Sequence, residues 1–277
     1  MFVKRLLSGI VLIAVMGITF AFGGYLLSAL LMLISIVGYF ELVKALCGET
    51  EKRSVNGPDL IAVICIVLYY MAVNFTSDAT YLIIGIGGFM VLELVWFVVK
   101  FPLYSTDRIV RTVFSVIYCP VMLSFIYMIR ELEGREFLLW MVLISSWGCD
   151  TLAYVTGSLF GKHHPFKELS PKKSTEGCIG GIIGTALLGL IFGLLYVKRF
   201  MPVQYVEWKI ALICGVGALM GMVGDLAASG IKRNNNIKDF GKLIPGHGGI
   251  MDRFDSVIFV TPCIYFLSVM FSSLIKN

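Results

Sequence analysis

The residues best suited to chemistry lie close together in the chain, between Gly224 and Asp255. Carboxylates, ammonium and guanidinium groups and one imidazole occur there. They are Asp225, Lys232, Arg233, Lys238, Asp239, Lys242, His247, Asp252, Arg253 and Asp255. Carboxylate oxygens bind hard divalent cations, and Lys and Arg neutralise phosphate oxygens. The combination predicts a site where a divalent metal holds a polyphosphate.

Three of the aspartates can form a cluster from two helices. Asp252 and Asp255 are three residues apart, so both lie on one face if a helix begins near Met251. The helix dipole favours negative charge there, and capping alone would explain this pair. If Asp225 joins them from across the loop, the group requires a cation, because neighbouring carboxylates do not all ionise cheaply.

His247 lies in the sequence Pro-Gly-His-Gly-Gly. The glycines around it, including Gly248 and Gly249, let backbone N–H groups approach a ligand and form an anion-binding nest. His247 is interpreted either as a structural residue or as a group that contacts phosphate or transfers a proton.

A second polar stretch runs from Phe160 to Gly177. Its candidate phosphate-binding residues are cations and hydroxyls, namely Lys162, Ser170, Lys172, Lys173 and Ser174. Ser174 or Thr175 is placed to cap the following helix, whose N-terminus would then face a phosphate. Capping alone is the simpler explanation. The GxxxxGK[ST] spacing of a P-loop is absent.

Asp150 and Asp225 are embedded in apolar sequence. Asp150 lies within the run from Phe137 to Gly161, and Asp225 ends the uncharged stretch from Ile210. A carboxylate at such depth is unfavourable by several kcal/mol unless it faces a cavity, a metal or a cation. A buried ion pair is the alternative to a functional role.

The elements that must position these residues are membrane helices. The chain of 277 residues is 58% hydrophobic and 15% charged, with a mean hydropathy of +0.87. These values indicate a polytopic membrane protein and exclude a large soluble domain. At about 20 apolar residues per span, the apolar runs predict nine helices. Their ranges are 6–22, 25–43, 59–76, 80–99, 109–129, 137–158, 178–197, 208–230 and 256–275. The first run is interpreted as a retained span rather than a signal peptide, because many apolar runs follow it.

Basic residues are distributed unevenly between the two sides of this arrangement. Of the 23 Lys and Arg residues, 17 fall on the side of the N-terminus and 6 on the other. Because such residues concentrate in cytoplasmic loops, the N-terminus and both polar segments are expected in the cytoplasm. The formal net charge of +5 matches loops beside anionic lipid, and would also suit an acidic substrate.

Two further features are assigned to packing rather than to chemistry. Glycine-rich stretches at 180–184 and 215–224 are interpreted as surfaces for close helix contacts. The second lacks the strand–turn–helix setting of a nucleotide fingerprint. The seven cysteines contain no CxxC pair, so neither a disulfide framework nor a zinc site is expected.

Taken together, the polar residues resemble the signature of one enzyme family. The run is Ser229-x-Ile231-Lys232-Arg233, four residues, then Lys238-Asp239-x-Gly241-x-x-Ile244-Pro245-x-His247-Gly248-Gly249-Ile250-x-Asp252-Arg253-Phe254-Asp255. Also matching are Gly224-Asp225-Leu226, Asp150-Thr151-x-Ala153-Tyr154, Phe160-Gly161-Lys162-His163 and Ser170-Pro171-Lys172-Lys173-Ser174-x-Glu176-Gly177. The C-terminal half is thereby similar to the phosphatidate cytidylyltransferases (CDP-diacylglycerol synthases). The N-terminal half matches only as hydrophobic spans.

The chain departs from the family pattern at three positions. Ala228 stands where many members have Glu, Leu152 where many have Gly, and Ser174 where Thr is usual. Ser174 keeps the hydroxyl. Ala228 removes a carboxylate, so any role of that carboxylate in other members is not carried over to this chain.

The resemblance implies transfer of a cytidylyl group from CTP to phosphatidic acid, giving CDP-diacylglycerol and pyrophosphate for phospholipid synthesis. It implies Mg²⁺ held by Asp225 and Asp252, and it allows a monovalent cation such as K⁺ alongside. The candidate catalytic residues are Asp225, Lys232, Arg233, Lys238, Asp239, His247, Asp252, Arg253 and Asp255. The candidate substrate-binding residues are Asp150, Lys162, Ser170, Lys172, Lys173, Ser174, Ser229, Gly248 and Gly249. The expected partners are CTP, phosphatidic acid and the lipid bilayer, without nucleic acid; members often form homodimers.

Three alternatives stay open at this point. An ion or solute transporter would use Asp150 and Asp225 as a relay, but it leaves the Pro-Gly-His-Gly-Gly loop unexplained. A CDP-alcohol phosphotransferase also uses clustered aspartates, but its DGxxAR…GxxxDxxxD spacing is absent. A catalytically silent scaffold is disfavoured by the complete polar signature.

The predicted architecture is an all-α polytopic membrane protein of about nine transmembrane helices. Residues 1–277 form a single membrane-embedded domain. Residues 1–135 supply the N-terminal spans and residues 136–277 the catalytic half, with the signature at 229–255. The active site is expected at the cytoplasmic side of the C-terminal half.

Overall fold

The computed structural model describes residues 2–47, 56–75, 79–132, 137–200, 205–244, 246 and 248–273. Within these ranges nearly all residues are helical and no β-strand occurs. One isolated antiparallel bridge joins Ile244 and Gly248 in the signature loop.

Nine helical segments occur in the described residues. They are α1 (Phe2–Phe22), α2 (Gly24–Cys47), α3 (Gly57–Phe75), α4 (Ala79–Val99), α5 (Thr106–Arg130), α6 (Leu138–Phe160), α7 (Thr175–Val197), α8 (Val206–Asn234) and α9 (Met251–Ser273). In α2 to α9 the apolar stretches are long enough to cross a membrane, which makes 8 candidate spans, and Gly9–Phe22 of α1 is a shorter apolar helix. The prediction of an all-α polytopic membrane protein with about nine spans is confirmed.

Helices α7 and α9 begin three and five residues earlier than hydropathy predicts, because polar residues form their first turns. Helix α7 begins at Thr175, and Ser174 caps it by accepting a hydrogen bond from the Gly177 N–H. Helix α9 begins at Met251 and therefore carries both Asp252 and Asp255. The expectation that a helix begins near Met251 and carries both aspartates is confirmed.

The chain divides into two compact units. The first comprises Met1–Glu131 and Asn234–Arg253, and the second comprises Leu132–Arg233 and Phe254–Asn277. The second unit thus holds α6, α7, most of α8 and most of α9, whereas most of the signature loop belongs to the first. The single domain with a catalytic C-terminal half stays a prediction.

A buried ion pair joins α3 and α5 in the first unit. Both carboxylate oxygens of Asp59 accept hydrogen bonds from Nη2 of Arg108 at 2.6 Å, and the two side chains are 6% and 9% exposed. The hydroxyl of Tyr39 in α2 donates to Asp59 Oδ1 at 2.8 Å. These contacts fix α2, α3 and α5 against one another around charges that have little access to solvent.

The second unit is held together by close contacts at glycine. A Cβ on Gly181 of α7 would lie 2.8 Å from Met222 of α8 and 2.9 Å from the Cβ of Ala153 of α6. A Cβ on Gly224 of α8 would lie 2.7 Å from the carbonyl oxygen of Asp255. The interpretation of the glycine stretches as packing surfaces is confirmed. All seven cysteines are free thiols.

Replacing Arg108 by Met leaves the Asp59 carboxylate buried without its guanidinium. We expect the free energy of unfolding to fall by about 3–5 kcal/mol. The matched control is Arg111→Met on the same helix, which removes a more exposed pair with Asp107 and should change stability by about 0.5 kcal/mol or less. Denaturant unfolding of detergent-purified variants measures both values. Equal losses in the two variants would contradict the assignment.

Candidate functional site

The second unit contains a cavity of about 140 Å³ beside the start of α7. Its walls come from α6, α7, α8 and the loop before α7. The lining residues are Asp150, Ala153, Tyr154, Lys172, Lys173, Ser174, Gly177, Cys178 and Met222. Four predicted substrate-binding residues, namely Asp150, Lys172, Lys173 and Ser174, are therefore brought together. Cations beside a helix N-terminus form a suitable environment for a phosphate.

Glu176 in the first turn of α7 holds the loop that precedes it. Its Oε2 accepts hydrogen bonds from the backbone N–H groups of Lys162 at 3.1 Å and His163 at 3.3 Å. The Thr175 N–H donates to the carbonyl oxygen of His163 at 2.8 Å. These bonds bring residues 162–163 back to the start of α7. Sequence reasoning gave Glu176 no role, although a carboxylate in the first helical turn is a recognisable N-terminal pattern.

The predicted residues Lys162 and Ser170 are absent from the cavity lining. The side chain of Lys162 is exposed. The carbonyl oxygen of Ser170 accepts a hydrogen bond from the Lys173 N–H at 3.1 Å, which forms a tight turn. Ser170 thus shapes the segment that carries Lys172 and Lys173.

Local structure in α6 directs Asp150 towards the cavity. A π-helical turn, Ile144–Gly148, immediately precedes Cys149, and such turns shift the register of the side chains that follow. Cys149 packs in the core with Ala218 and Met222. Because successive helical residues are about 100° apart, Asp150 points away from this core, and it is exposed.

Asp225 joins α8 to the cavity through an ion pair. Its Oδ2 lies 2.5 Å from Nζ of Lys173, and the side chains of Asp225 and Lys173 are 26% and 20% exposed. Partial burial strengthens the attraction relative to a fully solvated pair. Ser229, one turn further along α8, is also buried.

Asp255 extends the carboxylate group from α9. Its side chain is buried, and its Oδ1 accepts a hydrogen bond from the Ser256 N–H at 2.8 Å. It experiences the negative charges of Asp225 and Asp150 and the positive charge of Lys232. Three carboxylates and two lysines of the second unit therefore share one electrostatic environment.

The oxygen donors of the second unit suit Mg²⁺. Among the residues that the structure describes, no three or more His, Cys, Asp or Glu side chains gather to ligate one metal ion. Mg²⁺, however, takes one or two carboxylates and completes its shell with water and substrate phosphates. The ammonium of Lys173 on Asp225 shows that a cation is accommodated at this carboxylate. Asp225 and Asp252 belong to different units, and their shared role as ligands stays a prediction.

In the first unit, Asp252 organises the signature loop. Its side chain is buried, and its Oδ2 accepts hydrogen bonds from the backbone N–H groups of Phe240 and Gly249, each at 2.9 Å. These bonds fix the orientation of the carboxylate. They also engage the Gly249 N–H, which the sequence predicted to face a ligand. Gly248 has a φ of +85°, which favours glycine.

Glu41 of α2 lies against the same loop, and sequence reasoning missed it. Its side chain is buried, and its Oε2 accepts a hydrogen bond from the Met251 N–H at 2.9 Å. A Cβ on Gly241 or Gly249 would overlap the Glu41 carboxylate. The only sequence indication was an acidic residue near the end of a predicted span, followed by Lys44.

The remaining predicted residues occupy the surface or lie outside the described part of the chain. Arg233, Lys238 and Asp239 are exposed, and Arg253 is half-buried. His247 lies outside the described residues, so its predicted role is untested. The position that usually carries Glu in the family holds Ala228, which is fully buried in α8.

Comparison with known proteins identifies the class of this chain. Residues 3–271 match the family model described as the cytidylyltransferase family. The chain belongs to the cytidylyltransferase family, which makes it a nucleotidyltransferase. The similarity recognised in the signature is confirmed.

Individual relatives carry a more specific name. A protein of Bacillus subtilis named phosphatidate cytidylyltransferase is 30% identical over 280 residues, spanning 97% of this chain and 98% of the relative. A protein of the same name from Staphylococcus epidermidis is 29% identical over 252 residues, spanning 89% and 91%. One from Staphylococcus aureus is 39% identical over 155 residues, spanning 56% and 57%.

Gly224 and Gly230 provide a matched test of packing beside Asp225. A methyl group at Gly224 would lie 2.7 Å from the Asp255 carbonyl oxygen, whereas one at Gly230 would lie 3.6 Å from Leu169. We expect Gly224→Ala to lower the free energy of unfolding by about 1–3 kcal/mol through overpacking. Gly230→Ala should preserve it or raise it by up to about 1 kcal/mol, since Ala favours helix. Unfolding in detergent gives both values, and equal effects would contradict the packing argument.

Proposed function

We propose that this protein transfers the cytidylyl group of CTP to phosphatidic acid, which forms CDP-diacylglycerol and releases pyrophosphate. The observation that carries the proposal is the similarity to the Bacillus subtilis phosphatidate cytidylyltransferase over 97% of this chain. The cationic cavity beside clustered carboxylates, on helices apolar enough to cross a membrane, adds independent chemical support.

The reaction requires no protein nucleophile. A phosphate oxygen of phosphatidic acid attacks the α-phosphorus of CTP, and the bond from that phosphorus to the bridging oxygen of pyrophosphate breaks. In such phosphoryl chemistry the protein contributes mainly positioning and electrostatic stabilisation. The site therefore has to hold two anionic substrates in line and neutralise the charge of the leaving group.

Residues of the second unit bind phosphate oxygens and supply positive charge. Lys172 and Lys173, beside the helix start capped by Ser174, hold phosphate oxygens in the cavity. Lys232 and Arg233 in the last turn of α8 add positive charge. Ser229 helps to seat a phosphate, and Ser170 shapes the turn that carries Lys172 and Lys173.

The signature loop supplies the rest of the proposed site. Lys238 and Arg253 clamp phosphates, and His247 contacts phosphate or transfers a proton. Asp225 and Asp252 are the proposed ligands of Mg²⁺, with Asp239 and Asp255 nearby. The negative charge of the departing pyrophosphate would be neutralised by Mg²⁺ when it is bound. K⁺ as a second cation and a homodimer stay predictions.

The proposed orientation places both polar segments in the cytoplasm. It is supported by the 17 to 6 division of basic residues. Soluble CTP then reaches the loops from the aqueous side, and phosphatidic acid arrives within the bilayer.

The first test is pyrophosphate release by the purified protein in detergent, with phosphatidic acid, Mg²⁺ and each nucleoside triphosphate in turn. We expect release with CTP (or dCTP) alone, and only when both lipid and metal are present. Absence of release by folded protein would overturn the proposal. Ion flux in liposomes would then favour a transporter, and CMP release from a CDP-lipid and an alcohol would favour a CDP-alcohol phosphotransferase.

Replacing Lys173 and, as a matched control, Lys167 tests the role of the cavity in the reaction. Lys173→Met removes the ammonium that pairs with Asp225, so kcat/KM for CTP should fall about 100-fold or more. Lys167 is exposed on the same loop, and Lys167→Met should change kcat/KM by about twofold or less. Steady-state pyrophosphate release measures both. An unchanged value in Lys173→Met would refute the assigned role.

A further inference from the structure

Two carboxylates, Asp252 of α9 and Glu41 of α2, bind backbone N–H groups of the signature loop in the first unit. Asp252 Oδ2 accepts the N–H groups of Phe240 and Gly249, each at 2.9 Å. Glu41 accepts the N–H of Met251 at 2.9 Å, and the backbone N–H of Ile250 also stabilises its negative charge. Four backbone N–H groups thus act on two acids, one at the start of α9 and one in α2.

We propose that Glu41 is a positioning residue for cytidylyl transfer. Its carboxylate anchors the first residue of α9, and through the loop it sets the direction in which Asp252 is presented. The inference rests on the proposed function. It assigns a role in the reaction to a residue that lies 210 positions before its partner Met251 and outside the family signature.

The electrostatics explain why the anchor is a carboxylate. The first N–H groups of a helix have no partner within the helix, and a negative charge at that end is favoured by the helix dipole. Glu41 satisfies one of these groups at Met251. It also experiences the negative charge of Asp252, so the backbone donors that bind the two acids offset their repulsion.

The same contact explains two glycines of the signature. Among the described signature glycines, positive φ values occur at Gly246 and Gly248 and not at Gly241 or Gly249. Residues other than glycine could therefore adopt the backbone conformation found at Gly241 and Gly249. A side chain added at Gly241 or at Gly249 would overlap the Glu41 carboxylate. These two glycines are required because they leave space for Glu41.

The kinetic test compares Glu41→Gln with Glu93→Gln. Glu93 is a fully buried acid of α4 in the same unit and lies outside the proposed machinery. In Glu41→Gln one carboxylate oxygen becomes an NH2 group that cannot accept a backbone N–H. We expect kcat to fall about 10- to 100-fold while KM for CTP stays within about threefold. Glu93→Gln should keep the wild-type kcat per folded protein.

A purely structural role for Glu41 predicts a different pattern. Glu41→Gln would then lower the unfolding temperature, while the fraction that remains folded would keep the wild-type kcat. That result would overturn the proposal. A wild-type protein without CTP-dependent release would instead overturn the proposed function, so the two failures are distinguishable.

A double-mutant cycle tests the contact itself. Gly249→Ala places a methyl group on the Glu41 carboxylate, so alone it should lower kcat about 10-fold or more. In the Glu41→Ala background that clash is gone, and Gly249→Ala should cause less than about a twofold further loss. Losses that multiply would contradict the proposal. Stability measured over the same four proteins reports the coupling even if Glu41→Ala is inactive.

Discussion

The structure depends on one constraint: a charge placed among membrane helices must have a partner within reach. Unpaired charge in such surroundings is unfavourable by several kcal/mol. Asp59 meets Arg108, Asp225 meets Lys173, and Glu41 meets the backbone of the signature loop. In each case the partner belongs to a different helix or loop, so satisfying the charge also fixes how those elements pack.

This constraint links stability to chemistry. In the Asp59–Arg108 pair one guanidinium nitrogen contacts both carboxylate oxygens and both side chains have little exposure, which suits a structural role. The Asp225–Lys173 pair borders a cavity and keeps about a quarter of the Asp225 side chain exposed. A pair of this kind can exchange its partner for a bound cation or anion. The difference in exposure separates the pair that holds helices together from the pair that borders the cavity.

The sequence predicted what local patterns encode. Apolar runs placed nearly all helices, Ser174 was one of two residues expected to cap α7, and the glycine stretches were recognised as contact surfaces. The starts of α7 and α9 were placed late because hydropathy ignores polar first turns. Glu41 was missed because its partner is a backbone N–H group, which every residue except proline carries and no motif marks. Glu176 lies in a first helical turn that a sequence pattern does mark, but the backbone N–H groups of Lys162 and His163 that bind it lie 14 and 13 positions earlier. The cavity likewise depends on three-dimensional packing.

The bond between Glu41 and the Met251 N–H also affects how the protein is made. The two residues are 210 positions apart in the chain. At a synthesis rate of about 5–20 residues per second, the second helix therefore waits roughly 10–40 s in the membrane before its partner leaves the ribosome. During that interval the Glu41 carboxylate has only nearby groups, such as Lys44 one turn away, to offset its charge. The bond that Glu41 makes to the signature loop forms only after Met251 has been synthesised, so a nascent chain that lacks α9 carries Lys172 and Lys173 without this anchor of the loop.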